Sequence, residues 1–216
     1  MRTRKSFLLQ AKLVNDPTKT NAHPARSPEL LNRHRSTLLV IDVQEKLLPV
    51  IDGAESITRN VSFLMDVASL LDVPVFVSEQ YPQGLGNSVP EIANHKASKQ
   101  TAEKIRFSAA ECFQNSDTAQ QAGGTNRQVV ITGIEAHICV LQTAFDLISQ
   151  GYRVFVVEDA VSSRDPADAE NAIKRIRDAG GTVCVSESVA FEWCEQAGSD
   201  EFRAISRLVR NRMPAS

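Results

Sequence analysis

Three side chains of this sequence stand where chemistry could be done: Cys139, Asp42 and Lys104. Cys139 falls between RQVVITG (127–133) and LQTAFDLISQG (141–151). The first stretch is a short β-branched run closed by a glycine, which predicts a buried strand. The second carries Leu141, Ala144, Phe145 and Ile148 at helical spacing and stops at Gly151, which predicts an amphipathic helix. A cysteine in the turn between them sits near a helix N-terminus. Unpaired N–H groups and the helix dipole stabilise a thiolate there, and a thiolate is a nucleophile. Free cysteine is also a common small core hydrophobe, and position alone leaves both readings open.

Asp42 closes the apolar run TLLVI and precedes VQEKLLP. A carboxylate at the top of a central strand is partly desolvated, which suits it to moving protons; the competing reading is a simple turn or helix cap. Lys104 precedes IRFSA, where a strand gives way to a helix capped by Ser108. A lysine at such a strand end can pair with Asp42, or it can be an ordinary solvated lysine. His137, two residues before Cys139, is a second possible base. Positions two apart at a helix start diverge, however, so a supporting or packing role suits it better.

These residues need a frame, and the pattern from residue 36 onward supplies one. Strands are predicted at 37–42, 73–78, within KQTAEKIRF, at 127–133, at 152–159 and at 182–186. Helices are predicted across Ala54 to Leu71, after Cys139, across Asp165 to Ala179 and across Ser199 to Arg210. The alternation implies a doubly wound α/β domain, a mainly parallel six-stranded sheet with helices on both faces, over residues 36–216. In such sheets ligands bind beyond the carboxyl ends of the strands. Asp42, the pair Glu79 and Gln80, and the loop holding Cys139 all follow predicted strands.

Composition narrows the function classes. The net charge of −2 divides into +6 over residues 1–35 and −8 over the rest. The first 35 residues are therefore read as a basic extension, partly disordered or packed on a subunit. Its cations are scattered and Phe7 is its one aromatic residue, so a nucleic-acid partner is not expected. The longest apolar runs, such as LLVI at 38–41, are strand-length, so no membrane association is expected. The four cysteines (112, 139, 184 and 194) form no CxxC pair or zinc spacing and fit reduced thiols in a cytoplasmic protein. The four histidines are dispersed, which argues against a metal site. The loop after the first strand, DVQEKLLP, lacks GxGxxG, and no P-loop occurs, so nucleotide binding by those motifs is excluded.

LLVIDVQEKLLP, KIRFSA and ITGIEAHICVLQTAFDL, in that order, resemble the isochorismatase-like hydrolase superfamily, which also contains nicotinamidases. The similarity runs from about residue 36 to residue 190. The EQYPQGLG stretch is most similar to isochorismatase-domain hydrolases of unassigned substrate. The resemblance implies a Rossmann-like isochorismatase fold with a catalytic triad of Asp42, Lys104 and Cys139. It also implies a cis peptide between Ile134 and Glu135, with the backbone N–H groups of Glu135 and Cys139 as an oxyanion hole. Substrate-pocket positions implied by place relative to the motifs are Gln44, Leu47, Leu48, Gln80, Tyr81, Phe107, Ala136 and His137. Nicotinamidases carry an aspartate and histidines for a metal just after the second strand; this chain has Glu79, Gln80 and Tyr81 there. No metal and no cofactor are therefore expected.

The reading that follows is a metal-independent cysteine hydrolase cleaving a small amide or related C–N bond through a thioester, with a small-molecule substrate. Relatives are commonly oligomeric, so a homo-oligomer is expected. Two rivals stand beside it. One is isochorismatase-type vinyl ether hydrolysis with Asp42 as proton donor; the other is a catalytically silent oligomeric binding protein. A thiol redox sensor would need a resolving cysteine near Cys139, and the sequence places none beside it.

Overall fold

The computed structural model of the chain describes residues 26–98, 101–121 and 127–212. Six strands form one sheet: β1 (Ser36–Ile41), β2 (Val75–Gln80), β3 (Thr101–Lys104), β4 (Gln128–Ile134), β5 (Arg153–Ser162) and β6 (Thr182–Cys184). Between them run α1 (Ala54–Leu70), α2 (Pro82–Leu85), α3 (Pro90–Ala93), α4 (Ala110–Gln114), α5 (Asp117–Gln121), α6 (Leu141–Ser149) and α7 (Pro166–Asp178). After β6 come α8 (Ser186–Cys194) and α9 (Asp200–Arg212).

The strand order is β3-β2-β1-β4-β5-β6 and every pairing is parallel, as the doubly wound reading requires. The chain winds outward from β1 to β3, returns to β4 on the other side of β1, and winds outward again. The β1/β4 boundary is thus the switch point, where loops diverge and leave a crevice. Alternation along the strands divides the core in two. Leu38, Val40, Val75, Val77, Val130 and Phe155 pack with α1, α8 and α9. Leu39, Ile41, Phe76, Val129, Ile131 and Val156 pack with α4, α6 and α7.

Several boundaries differ from the sequence pattern. β2 runs two residues further than predicted, so Glu79 and Gln80 end the strand rather than follow it. β5 likewise continues to Ser162. The predicted strand at 182–186 stops at Cys184, and Ser186 opens a helix instead. The Asp159 carboxylate causes this: it accepts the backbone N–H of Ser186 at 2.7 Å and its hydroxyl at 2.6 Å. A carboxylate on the first amide of a helix satisfies a donor that has no partner within the helix.

The predicted extension over residues 1–35 also divides differently. Residues 1–25 lie outside the described residues, and within the described ones residues 26–35 already pack on the domain. Leu31 is fully buried in the α1/α8/α9 core. The Arg26 guanidinium donates to the carbonyls of Leu31 and Glu192, and the Leu31 N–H donates to the Glu192 carboxylate. Residues 26–35 are therefore a strap on the chain's own domain.

Candidate active site

Asp42 follows β1 in the left-handed region (φ 51°), which aspartate tolerates better than most side chains. Its N–H continues the β1–β2 ladder to the Ser78 carbonyl (3.1 Å), and its Oδ1 accepts the Ser78 hydroxyl at 2.7 Å. Both residues are fully buried. Oδ2 is left facing the crevice. It receives no well-directed hydrogen bond, and meets Lys104 Nζ at 2.7 Å as an ion pair.

Lys104 ends edge strand β3, yet its side chain is only 4% exposed. Its ammonium donates to Gln80 Oε1 (2.7 Å) and to the carbonyls of Phe107 (2.8 Å) and Arg106 (3.3 Å). With Asp42 Oδ2, four oxygens surround the one nitrogen, and every one of them is an acceptor for its N–H groups. The pairing with Asp42, one of two readings open in the sequence, is the one the structure contains.

Cys139 lies in a π-helical turn, Ala136–Val140, that precedes α6. The Glu135 carbonyl accepts from both Ile138 N (3.1 Å) and Val140 N (3.2 Å), the second bond being the wide turn's signature. Thr143 fastens the turn from the helix side. Its hydroxyl donates to the Cys139 carbonyl (2.6 Å) and accepts the Ala109 N–H (2.8 Å). The Asp42 and Lys104 charges both act on the buried thiol. Burial, and then the Asp42 charge, push it well above the ordinary cysteine range, with Lys104 pulling the other way. Of the two readings open for Cys139, the stabilising effect of a helix start on a thiolate is outweighed here by burial beside the Asp42 carboxylate, and the thiol keeps its proton.

The Ile134–Glu135 peptide is cis. The Glu135 carboxylate turns from the thiol to Arg164, accepting from its backbone N–H (3.1 Å) and from Nε (3.0 Å). The negative charge that residue 135 brings is therefore compensated within the site.

A model of the isochorismatase domain matches residues 36–188, which span all of these groups. The chain belongs to the isochorismatase family of hydrolases. It is 36% identical over 184 residues to mouse isochorismatase domain-containing protein 2A, covering 84% of this chain and 85% of that protein. It is 34% identical to the secreted isochorismatase effector Isc1 of Phytophthora sojae, with 83% and 87% covered. Among solved structures, the MAR1 ribonuclease of Caenorhabditis elegans superposes with a TM-score of 0.78 at 34% identity, over 86% of this chain and 95% of that one.

Of the pocket positions that the isochorismatase resemblance implied, Tyr81 and Phe107 are half exposed. Tyr81 follows β2 and Phe107 follows β3, and the Tyr81 N–H bonds to the Lys104 carbonyl (2.9 Å). Leu47 is partly buried against the α1 side of the core, and Ala136 is buried at the start of the π turn. Four positions are placed differently from the expectation. Leu48 lines a groove on the outer side of α1 with Pro49, Thr58 and Glu91. Gln44 is fully buried and spends its amide on backbone, donating to the Gln80 and Gly86 carbonyls and accepting the Gln80 N–H. Gln80 is committed to Lys104 and to the Ile105 carbonyl (2.8 Å). The His137 ring turns to Ser163, with Nδ1 2.8 Å from its hydroxyl.

The residues at the nicotinamidase metal position do not fit a metal. Glu79 accepts the Ser88 N–H at 2.6 Å, Gln80 serves Lys104, and Tyr81 is half exposed. Among the described residues no group of three His, Cys, Asp or Glu converges on one point. Nor is any described helix long and apolar enough to cross a membrane.

Sequence reasoning missed Ser78, Thr143 and Arg164. Each had a weak signal: a lone hydroxyl in the apolar run VFVS, a β-branched hydroxyl four residues after Cys139, and a base just past β5.

Proposed function

We propose that this isochorismatase-family chain is a metal-independent cysteine hydrolase of small amides or related C–N bonds. The observation that carries the reading is the buried Asp42–Lys104 pair, Oδ2 to Nζ 2.7 Å, whose charges both act on the buried Cys139 thiol. Such a trio performs acyl transfer. The thiol proton passes to Asp42 Oδ2 as Sγ attacks the carbonyl carbon, whose π electrons move to oxygen. The backbone N–H groups of Glu135 and Cys139 receive that oxyanion. Collapse expels the amine, which takes the proton from Asp42, and leaves a thioester. Water then attacks, giving a proton to Asp42; collapse releases the acid, and the thiolate recovers the proton. Lys104 stays in place throughout as the counter-charge to Asp42. Exposed Tyr81 and Phe107 give the acyl group an apolar wall.

The deciding experiment is a screen of small amides with wild type and Cys139→Ala, with intact-mass detection of the acyl adduct. Turnover should vanish in the variant and the adduct should map to Cys139. Amide hydrolysis at the wild-type rate by Cys139→Ala would end this reading.

The neutral thiol favours one second reading. In it the thiol takes no part: Asp42 takes up a proton from solvent, delivers it to the enol ether carbon, and water adds to the resulting oxocarbenium carbon and returns a proton to solvent. In that case Asp42→Ala would abolish turnover of an enol ether while Cys139→Ala would not. We also assign the chain to a cytoplasmic homo-oligomer. Four cysteines without a disulfide among them support the compartment, and the open edge of β3 supports association.

A further inference from the structure

We infer that Gln80 is a positioning residue of this site: a neutral carbonyl that aims the Lys104 ammonium at Asp42 without competing for its charge. The inference rests on the cysteine-hydrolase reading above and adds to it the residue that keeps the Asp42–Lys104 pair exclusive.

The orientation of the Gln80 amide is fixed by its partners. Lys104 can only donate, so the atom 2.7 Å from Nζ is the oxygen. The Ile105 carbonyl can only accept, so the atom 2.8 Å from it is the NH2 group. Behind this, Gln44 clasps the Gln80 backbone from both sides, accepting its N–H at 2.7 Å and donating to its carbonyl at 3.0 Å. Gln80 and Lys104 are register partners on β2 and β3, so both side chains leave the same face at the same level. The glutamine therefore has no freedom to turn toward a substrate, and the lysine has little freedom to turn from Asp42.

Why an amide stands here follows from charge. A carboxylate of the same shape would share the ammonium with Asp42 and bring a second negative charge within a few ångströms of it. Both changes favour protonation of the Asp42–Cys139 pair, which works with one proton between its two members. The other charged groups around the pair leave this balance intact. Glu79 is held on the Ser88 N–H, Glu135 is matched by Arg164, and Arg106 reaches out to Glu111. Glu103 is exposed and accepts from Gln83. The Cys112 thiol on α4 senses both Asp42 and Lys104 but is raised by burial and stays neutral. Lys104 and Asp42 are left as each other's counter-ion, with Gln80 as the spacer.

The test is the pH dependence of Cys139 alkylation by iodoacetamide, followed by peptide mass from pH 5 to pH 9. Wild type, Gln80→Glu and Gln80→Met are compared, each with its melting temperature. Gln80→Glu should move the acid limb upward by at least about half a pH unit, so that labelling below the limb falls at least about threefold while the plateau is kept. Gln80→Met, which removes the acceptor without adding charge, should lower the plateau about tenfold and leave the limb in place. A purely structural glutamine would change melting but neither feature. Profiles of both variants that superimpose on wild type would overturn the inference. If Gln80→Glu does not fold, Gln80→Met decides alone: a wild-type plateau overturns it. Should Cys139→Ala hydrolyse small amides at the wild-type rate, the cysteine-hydrolase reading itself has failed, an outcome distinct from a failure at Gln80.

Discussion

Lys104 Nζ lies 2.7 Å from Asp42 Oδ2, and the two side chains are 4% and 0% exposed. Each charge is tolerated in the core because of the other. Removing one member of such a pair strands its partner and costs about 3–5 kcal/mol. Lys104→Met is expected to lose that much in urea denaturation. The double variant Asp42→Asn with Lys104→Met should lose clearly less than the two single losses added together. Simple additivity would show that the charges are not coupled.

Gly133 is the backbone contact on which Asp42 depends. It faces Ile41 across the β1–β4 ladder with φ +108°, and a Cβ there would stand 2.0 Å from the Ile41 carbonyl oxygen. No side chain can move to relieve that clash, since the obstructing atoms are backbone. Gly133→Ala is expected to cost at least about 3 kcal/mol, through a strained backbone and a displaced β1 end. A variant melting within about 2 °C of wild type would refute this.

The sheet was legible because apolar alternation and β-branched runs encode strands locally. That Asp42, Lys104 and Cys139 share one edge was legible because each stands at or just past the carboxyl end of a predicted parallel strand. Strand order was not, since nothing in TLLVI or RQVVITG says that β1 and β4 are neighbours. The roles of Gln44 and Gln80 were misread for a related reason. A glutamine beside a motif looks available in sequence, and only the fold reveals that backbone carbonyls 36 and 42 residues away consume the Gln44 amide. The helix at 186–194 was hidden because its start depends on Asp159, a residue of another strand. The strap over residues 26–35 was hidden because Leu31 finds its core partners far along the chain.

Thr143 ties the Cys139 turn to the loop that cages Lys104. Its hydroxyl donates to the Cys139 carbonyl and accepts the buried Ala109 N–H. Thr143→Val keeps the shape but leaves the Ala109 amide without its acceptor, a loss of about 1–3 kcal/mol. Thr143→Ser should recover most of it, since the hydroxyl returns. Equal stability of the valine and serine variants in chemical denaturation would show that shape alone mattered.

Alkaline stability should report the buried thiols. Burial first, and then Glu192, Asp159 and Glu158, push Cys184 up from 9.0 to about 12. Cys139 is raised as well, by burial and Asp42. A thiol raised in the folded state keeps its proton where the unfolded chain has already lost one. Its contribution to stability is therefore complete below about pH 9 and declines as pH rises toward 12. Lysine and tyrosine titrate over the same interval, so the comparison that isolates the thiol is between variants. Cys184→Ala should be less stable at pH 8 through lost packing, yet fall less steeply than wild type between pH 8 and pH 10.5. The measurement is urea denaturation at several pH values across that interval. Parallel slopes for the two proteins would mean that Cys184 ionises in the fold as readily as in the unfolded chain.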